Sequence, residues 1–278
     1  MNIIQATSID SKQWDTFIKE NYPPVGAFMQ RWAWGVFQKK LGRNVERYLV
    51  MDNNKIVSVF TLVELNLFFG FKYGYIPRGP VILKGTNSIK IANIFESIKK
   101  WSFEKFPDQI FLRLEPPITH TNELEQKSFY FPTYYVQPRF NTVVNLTKKE
   151  DAILSSFHSS TRSNTKRAEK RGVTIKIKDN ISDSDYKIFK EMINDTIVRN
   201  NGKNAYPSDS YFQSLLKEIP LTAFIGYCED KPASFHFVSF FGKTATYLYG
   251  ASHSEHLSSK VDTYLHWTAI KEAKARGY

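Results

Sequence analysis

The chain has 278 residues and a mass of 32.3 kDa, enough for one large domain or two of about 140 residues each. Hydrophobic residues make up 42% and aromatic residues 15% of it, which excludes a disordered chain, and a single cysteine, Cys228, excludes a disulfide framework or a cysteine-based metal site. With 38 basic against 27 acidic residues the net charge is +11, a surplus that either serves polyanionic partners such as RNA, phosphorylated metabolites or an anionic membrane face, or only keeps the protein soluble. No apolar run reaches the roughly 18 residues of a membrane-spanning helix, and Met1 to Asp10 lacks the basic start and apolar stretch of a secretory signal. A soluble cytoplasmic protein is expected.

In chain order, Ser11 to Asn21 and Gln30 to Leu41 read as short helices, the second stopped by Gly42. Glu46 to Met51 and Ile56 to Glu64 read as strands joined by the turn Asp52-Asn53-Asn54. Tyr73 to Ile76 is a third strand, ended by Pro77-Arg78-Gly79-Pro80. Asn87 to Phe106 carries Ile91, Ile94, Phe95, Ile98 and Trp101 at helical spacing, and Ile110 to Glu115 is a strand stopped by Pro116-Pro117. Lys148 to Arg171 is predicted as an interrupted helix with Gly172 as its cap. Helices are predicted over Asp183 to Arg199 and Ser208 to Glu218, around the turn-rich stretch Asn200 to Pro207. Leu221 to Cys228 and Ala233 to Phe241 form a hairpin, Thr244 to Ala251 a further strand, and His256 to Arg276 a long helix before Gly277.

The two halves repeat one order: helices, a hairpin over a turn-rich tip, another strand, a long helix. In the first half that helix feeds the strand Ile110 to Glu115. The chain reaches Tyr278 where the second copy would begin its equivalent, so that copy is expected to be incomplete at its C-terminus. The expected fold is α/β (α+β): two tandem subdomains over 1–145 and 146–278, with mixed twisted sheets flanked by helices.

Charge is concentrated in one place. Between Arg162 and Lys178 there are seven basic residues and one acid, Glu169. Arg162, Lys166 and Lys170 share a helix face, with Arg167 and Arg171 beside it. That face is either a landing surface for a nucleic-acid backbone or anionic lipid, or a solvated basic helix. The pattern His253-Ser254-Glu255-His256 is too short for a zinc helix and reads as loop. His236 alternates within a strand and reads as packed, and Cys228 as a small buried residue. No metal site is expected.

The three-strand, helix, strand order resembles the GNAT superfamily of acyltransferases. The loops at the usual pyrophosphate position, Pro80 to Thr86 and Ser252 to Lys260, lack its spaced glycines, which disfavours coenzyme A as donor. A closer resemblance runs over nearly the whole chain in order. Phe28-Met29-Gln30, Trp34-Gly35, Tyr75-Ile76-Pro77-Arg78-Gly79-Pro80, Leu112-Arg113-Leu114-Glu115-Pro116, Gln137-Pro138-Arg139, Arg167-Ala168-Glu169-Lys170-Arg171-Gly172, Tyr247-Leu248-Tyr249-Gly250-Ala251 and Leu265-His266-Trp267 resemble the signatures of FemABX-type aminoacyltransferases, enzymes of two GNAT-like subdomains.

The resemblance implies transfer of an amino acid from aminoacyl-tRNA to a side-chain amine of a peptidoglycan precursor, lipid II or UDP-MurNAc-pentapeptide. It implies no cofactor beyond the aminoacyl-tRNA co-substrate. The protein would act as a monomer in the cytoplasm, with a peripheral contact at the anionic inner face of the membrane. Glu115 falls at the family's acidic position and would orient or deprotonate the incoming amine; a capping or salt-bridging carboxylate is the alternative. Lys39 or its neighbour Gln38, together with Tyr206, Tyr211, Tyr247 and Tyr249, falls among acceptor-binding positions, Tyr206 standing where the family has a basic residue. Alternation puts Tyr247 and Tyr249 on one sheet face, where core packing is the competing reading. Arg78 either contacts ligand or anchors its turn. The family continues past the last helix into an Asp-containing strand and a Phe-Lys motif, and some members carry a helical arm that this chain lacks. A non-catalytic binder of RNA or precursor, and a GNAT-type N-acyltransferase acting on another amine, are the alternative functions.

Overall fold

The computed structural model describes residues 1–118, 129–138, 140–202 and 206–278. Arg139 of the Gln137-Pro138-Arg139 motif lies outside them, as do 203–205 of the turn-rich stretch. The chain forms two compact units, Met1–Thr142 and Val143–Tyr278, divided a few residues before the expected 145/146 boundary.

In the first unit the strands run β1 (Asn2–Gln5), β2 (Asn44–Asp52), β3 (Lys55–Asn66), β4 (Lys72–Ile76) and β6 (Gln109–Leu114), in that spatial order, with β5 (Val81–Ile82) also on β3. All pairs are antiparallel except β4 with β6. The β2–β3 hairpin closes where Asn53 and Asn54 both take positive φ, a conformation that Asn tolerates better than most residues. Period-2 alternation gives the sheet two apolar faces. On one, Tyr48, Val50, Phe60, Leu62 and Ile76 pack against Ile94, Phe95 and Ile98 of α3 (Ser88–Lys105). Asn87 caps α3 by accepting from the Lys90 amide at 2.9 Å.

α1 (Ser11–Asn21) and α2 (Trp32–Lys40) bury Trp14, Phe17, Ile18, Trp34 and Phe37. Two motif residues are structural here. Gly35 leaves room for the buried Arg47 guanidinium, whose Nη2 would lie 2.5 Å from an added Cβ; that guanidinium stacks 3.9 Å over Trp32. Gln30, fully buried, accepts from the Thr61 amide, donates to the Pro77 carbonyl, and offers its own carbonyl to the Trp14 indole at 2.7 Å.

The second unit repeats the plan. Its sheet runs β10 (Thr244–Ser252), β9 (Lys231–Phe241), β8 (Thr222–Cys228), β7 (Thr174–Lys178). Every pair is antiparallel, so only the first sheet is mixed. On one face Phe235 and Phe237 meet Phe189 of α6 (Asp183–Arg199), which in turn meets Phe212 of α7 (Asp209–Glu218). On the other, Phe224 and Val238 pack against Leu265 of α8 (Val261–Ala275).

The expected long helices are shorter than the sequence suggests. Lys148 to Arg171 is two helices, α4 (Glu150–Ser155) and α5 (Ser159–Lys170), broken where the His158 ring accepts from the Ser160 amide. α8 begins at Val261, because Ser254–Ser259 is a 3-10 turn and Lys260 is left-handed. The edge strands β1 and β7 and the two-residue β5 escape prediction because four-, five- and two-residue strands carry little periodicity. Cys228 is half-buried. Among the described residues no helix is long and apolar enough to cross a membrane.

Candidate functional site

In the first unit, the parallel register of β4 and β6 sets Tyr75 opposite Arg113 and brings Glu115 to the end of the pair. Glu115 accepts a 2.6 Å bond from the Tyr75 hydroxyl and a 3.4 Å bond from the Gln137 amide, and pairs with Arg113 Nε at 3.4 Å. Its side chain is 11% exposed. Burial, then the bond to Glu115, pushes the Tyr75 phenol well above its ordinary pKa. The carboxylate thus sits between two hydrogen-bond donors and a guanidinium. Arg78 takes positive φ in its turn and donates to the Pro138 carbonyl at 3.0 Å, tying the 129–138 segment to the strand end. Gln38 is buried and its amide oxygen accepts from Arg43, whereas Lys39 is exposed.

In the second unit the four tyrosines do not share a surface. A bulge in β10 sets Tyr247 opposite Val238 and Tyr249 opposite Phe237. Leu248 is the extra residue, and the two tyrosines therefore stand on opposite sheet faces, contrary to plain alternation. Tyr249 donates to the Tyr211 hydroxyl at 2.9 Å and packs on Phe212. Tyr247 packs on His236 and His266, at 4.9 and 4.6 Å between ring centroids. Burial, with the charges of Asp262 and Tyr206, pushes its phenol up to about 12. Tyr206 itself packs over Gly202, where an added Cβ would come within 3.0 Å of its ring.

Beneath Tyr247 lies a cluster that motif reading passes over. His236 of β9, fully buried, shares a 2.8 Å hydrogen bond with Asp262 in the first turn of α8, and the His266 ring lies 4.2 Å from it. Asp262 and His266 are four apart on one helix, a spacing visible in the sequence; His236 comes from a strand whose alternation marks it only as inward-facing. Burial, and then His236, lowers the His266 pKa to about 4, against the pull of Asp262. Burial raises Asp262, but the bond from His236 and the nearby ring charges outweigh it, so this carboxylate stays below its ordinary range. The cluster therefore presents a carboxylate–imidazole pair with a neutral imidazole beside it. Its three donor atoms lie within 4.8 Å of one another, near enough to hold a metal ion, although the His236–Asp262 bond already engages two of them. A cavity of about 250 Å³ opens beside it, lined by Ser234, Ser252, His256, Lys260 and Asp262.

The basic patch falls on α5. Lys166, Arg167 and Lys170 are exposed and line an open groove with Arg162. Arg162 and Arg171 are partly committed to structure: Arg162 donates to the Phe157 carbonyl at 2.5 Å beyond the end of α4, and Arg171 to Ser258 at 2.7 Å. The free cationic face is accordingly narrower than the run of basic residues.

Comparison with known proteins places this architecture. FemA of Staphylococcus epidermidis, an aminoacyltransferase, is 24% identical over 190 residues, which cover 58% of this chain and 44% of FemA. The chain thus spans less than half the length of that relative. A crystal structure of FemX matches with a TM-score of 0.79 at 17% identity, over 100% of this chain and 87% of its own. A conserved protein of unknown function from Bacteroides thetaiotaomicron matches at 0.58 and 9% identity, over 99% and 86%. Both are likenesses of fold. The sequence profile of the FemAB family matches residues 9–131 and 128–226, across both units, and the chain belongs to that family.

Proposed function

We propose that the protein is an aminoacyltransferase that moves an amino acid from aminoacyl-tRNA to the side-chain amine of a peptidoglycan precursor, lipid II or UDP-MurNAc-pentapeptide. The family match across both units carries this reading. An aminoacyl ester is already activated, so the reaction needs alignment and proton management more than bond polarisation. The amine attacks the ester carbonyl, an amide forms, and the ribose hydroxyl departs with the proton the amine gives up. Glu115, held by Tyr75 and Arg113, suits orientation of the incoming amine. The exposed cations of α5 suit the tRNA backbone. For an acceptor rich in phosphate and carboxylate, the proposed donors are Lys39 and Arg78 in the first unit and, in the second, Tyr206 with either Tyr247 on one sheet face or Tyr211 and Tyr249 on the other. No cofactor is proposed beyond the aminoacyl-tRNA, and the protein would work as a monomer in the cytoplasm.

One observation favours a second reading. Both Glu115 carboxylate oxygens are already engaged, one by the Tyr75 hydroxyl and the other by the Gln137 amide and Arg113, which would suit a protein that binds precursor without turnover. The test is transfer of labelled amino acid from charged tRNA to UDP-MurNAc-pentapeptide, beside the unfolding midpoint with that nucleotide and with acetyl-CoA. Label in the nucleotide product supports the transferase. A melting shift without label supports the binder, and a shift with acetyl-CoA alone would overturn both in favour of an ordinary N-acyltransferase. In an active protein, Glu115→Gln should lower transfer on the order of 100-fold while keeping the nucleotide-induced shift.

A further inference from the structure

The β3–β4 hairpin ends in Leu65-Asn66-Leu67-Phe68-Phe69-Gly70-Phe71, seven residues without a charge. Phe68, Phe69 and Phe71 are 85%, 97% and 52% exposed. The backbone holds them there. A 2.7 Å bond from the Leu67 amide to the Phe71 carbonyl closes the tip, and the ladder from Val63↔Tyr75 to Asn66↔Lys72 braces it. Phe69 is left-handed at φ 59° and ψ 25°, followed by Gly70 at φ 78°. A bulky residue in that region is strained by about 1 kcal/mol or more, and within its unit the conformation delivers an aromatic ring to water.

Basic residues lie at the end of the sheet from which the tip projects. Arg43 precedes β2, whose first residue Asn44 pairs with Glu64 near the end of β3, and the exposed Lys39 and Lys40 close α2 just before it. Lys72 opens β4 and is paired with Glu64 at 3.0 Å. An uncharged, exposed aromatic tip with basic residues at the same end of the sheet has the amphipathic pattern of an interfacial anchor, rings among the acyl-chain boundary and ammonium and guanidinium groups at the headgroups.

We propose that this tip is a membrane-docking element that inserts Phe68, Phe69 and Phe71 into the interfacial layer of an anionic bilayer. The proposal rests on the hairpin and the basic residues at that end of the sheet, not on the transferase reading. Docking of this kind is apolar insertion assisted by charge, distinct from attraction of the basic helix α5 to lipid.

The experiment is co-sedimentation with vesicles of phosphatidylcholine, with and without phosphatidylglycerol, using the full chain, F68S/F69S/F71S and F68L/F69L/F71L. The wild type should pellet with the anionic vesicles and retain part of that binding at high salt. The serine variant should lose on the order of 100-fold in partitioning, and the leucine variant should stay within a few-fold of wild type. An unchanged melting midpoint shows that the variants fold, since the rings lie in water. The proposal is overturned if the wild type stays in the supernatant at low salt, or if the serine variant partitions like wild type. It is equally overturned if the serine substitutions abolish a dimer in sedimentation equilibrium and leave vesicle binding unchanged. No tRNA or precursor enters the assay, so failure of the transferase reading would leave this result standing, and the reverse.

Discussion

Tyr247 and Tyr249 stand two residues apart on β10 yet on opposite faces of its sheet, Tyr247 over His236 and His266 and Tyr249 hydrogen-bonded to Tyr211 at 2.9 Å. The bulged Leu248 between them divides the phenols of the second unit into two environments. Tyr249→Phe removes a hydrogen bond from a half-buried pair and should cost about 1 kcal/mol, read as a fall of a few degrees in the unfolding midpoint. Tyr247→Phe should leave the midpoint within about 0.5 kcal/mol of wild type. Equal losses in both variants would contradict the division.

Acid should weaken the second unit through His266. Its pKa is lowered from 6.5 to about 4, so between those values the unfolded chain binds protons at this ring that the folded state refuses. The ring therefore contributes stability that is fully present above about pH 6.5 and is lost as pH falls towards 4, at most about 3 kcal/mol. Unfolding midpoints measured across that window should fall for wild type and fall less for His266→Gln. Parallel curves would mean that another group is responsible.

Gln30 serves as a structural cross-brace. Its side chain joins the Thr61 amide on β3 to the Pro77 carbonyl at the end of β4. Gln30→Ala strands both groups and leaves a void, and should destabilise the first unit by about 3 kcal/mol in denaturant titration. A loss below about 1 kcal/mol would show that water replaces the amide.

Charge reversal on α5 tests the polyanion surface. Lys166→Glu with Lys170→Glu should weaken tRNA binding on the order of tenfold or more at low salt and flatten its dependence on salt concentration. Filter binding over a salt series measures both. Unchanged affinity at low salt would remove the RNA role from this helix.

Local patterning reaches some of these features and misses others for one reason. The span of α1, the Asn53-Asn54 turn, α3 with its Asn87 cap, α6 and the β8–β9 hairpin follow from neighbouring residues: apolar spacing, cap chemistry and positive-φ tolerance. The duplicated order of elements was legible on the same grounds, as was the basic run on α5. Family resemblance pointed to Glu115 and the tyrosines, but said nothing of what those side chains touch. That Tyr75, 40 residues earlier, bonds Glu115 is decided by the parallel register of β4 and β6. That His236 meets Asp262 depends on a helix crossing a sheet face 26 residues later. The bulge at Leu248 follows from two strands fitting each other, so no alternation within β10 could reveal it. The sequence by itself determined the elements, the repeat and where charge and aromatics are dense, because propensity, capping and period act over a few residues. The tertiary structure alone decided which carboxylates are engaged, which imidazole is kept neutral and which phenols share a face, because desolvation and hydrogen bonding depend on groups brought together only by packing.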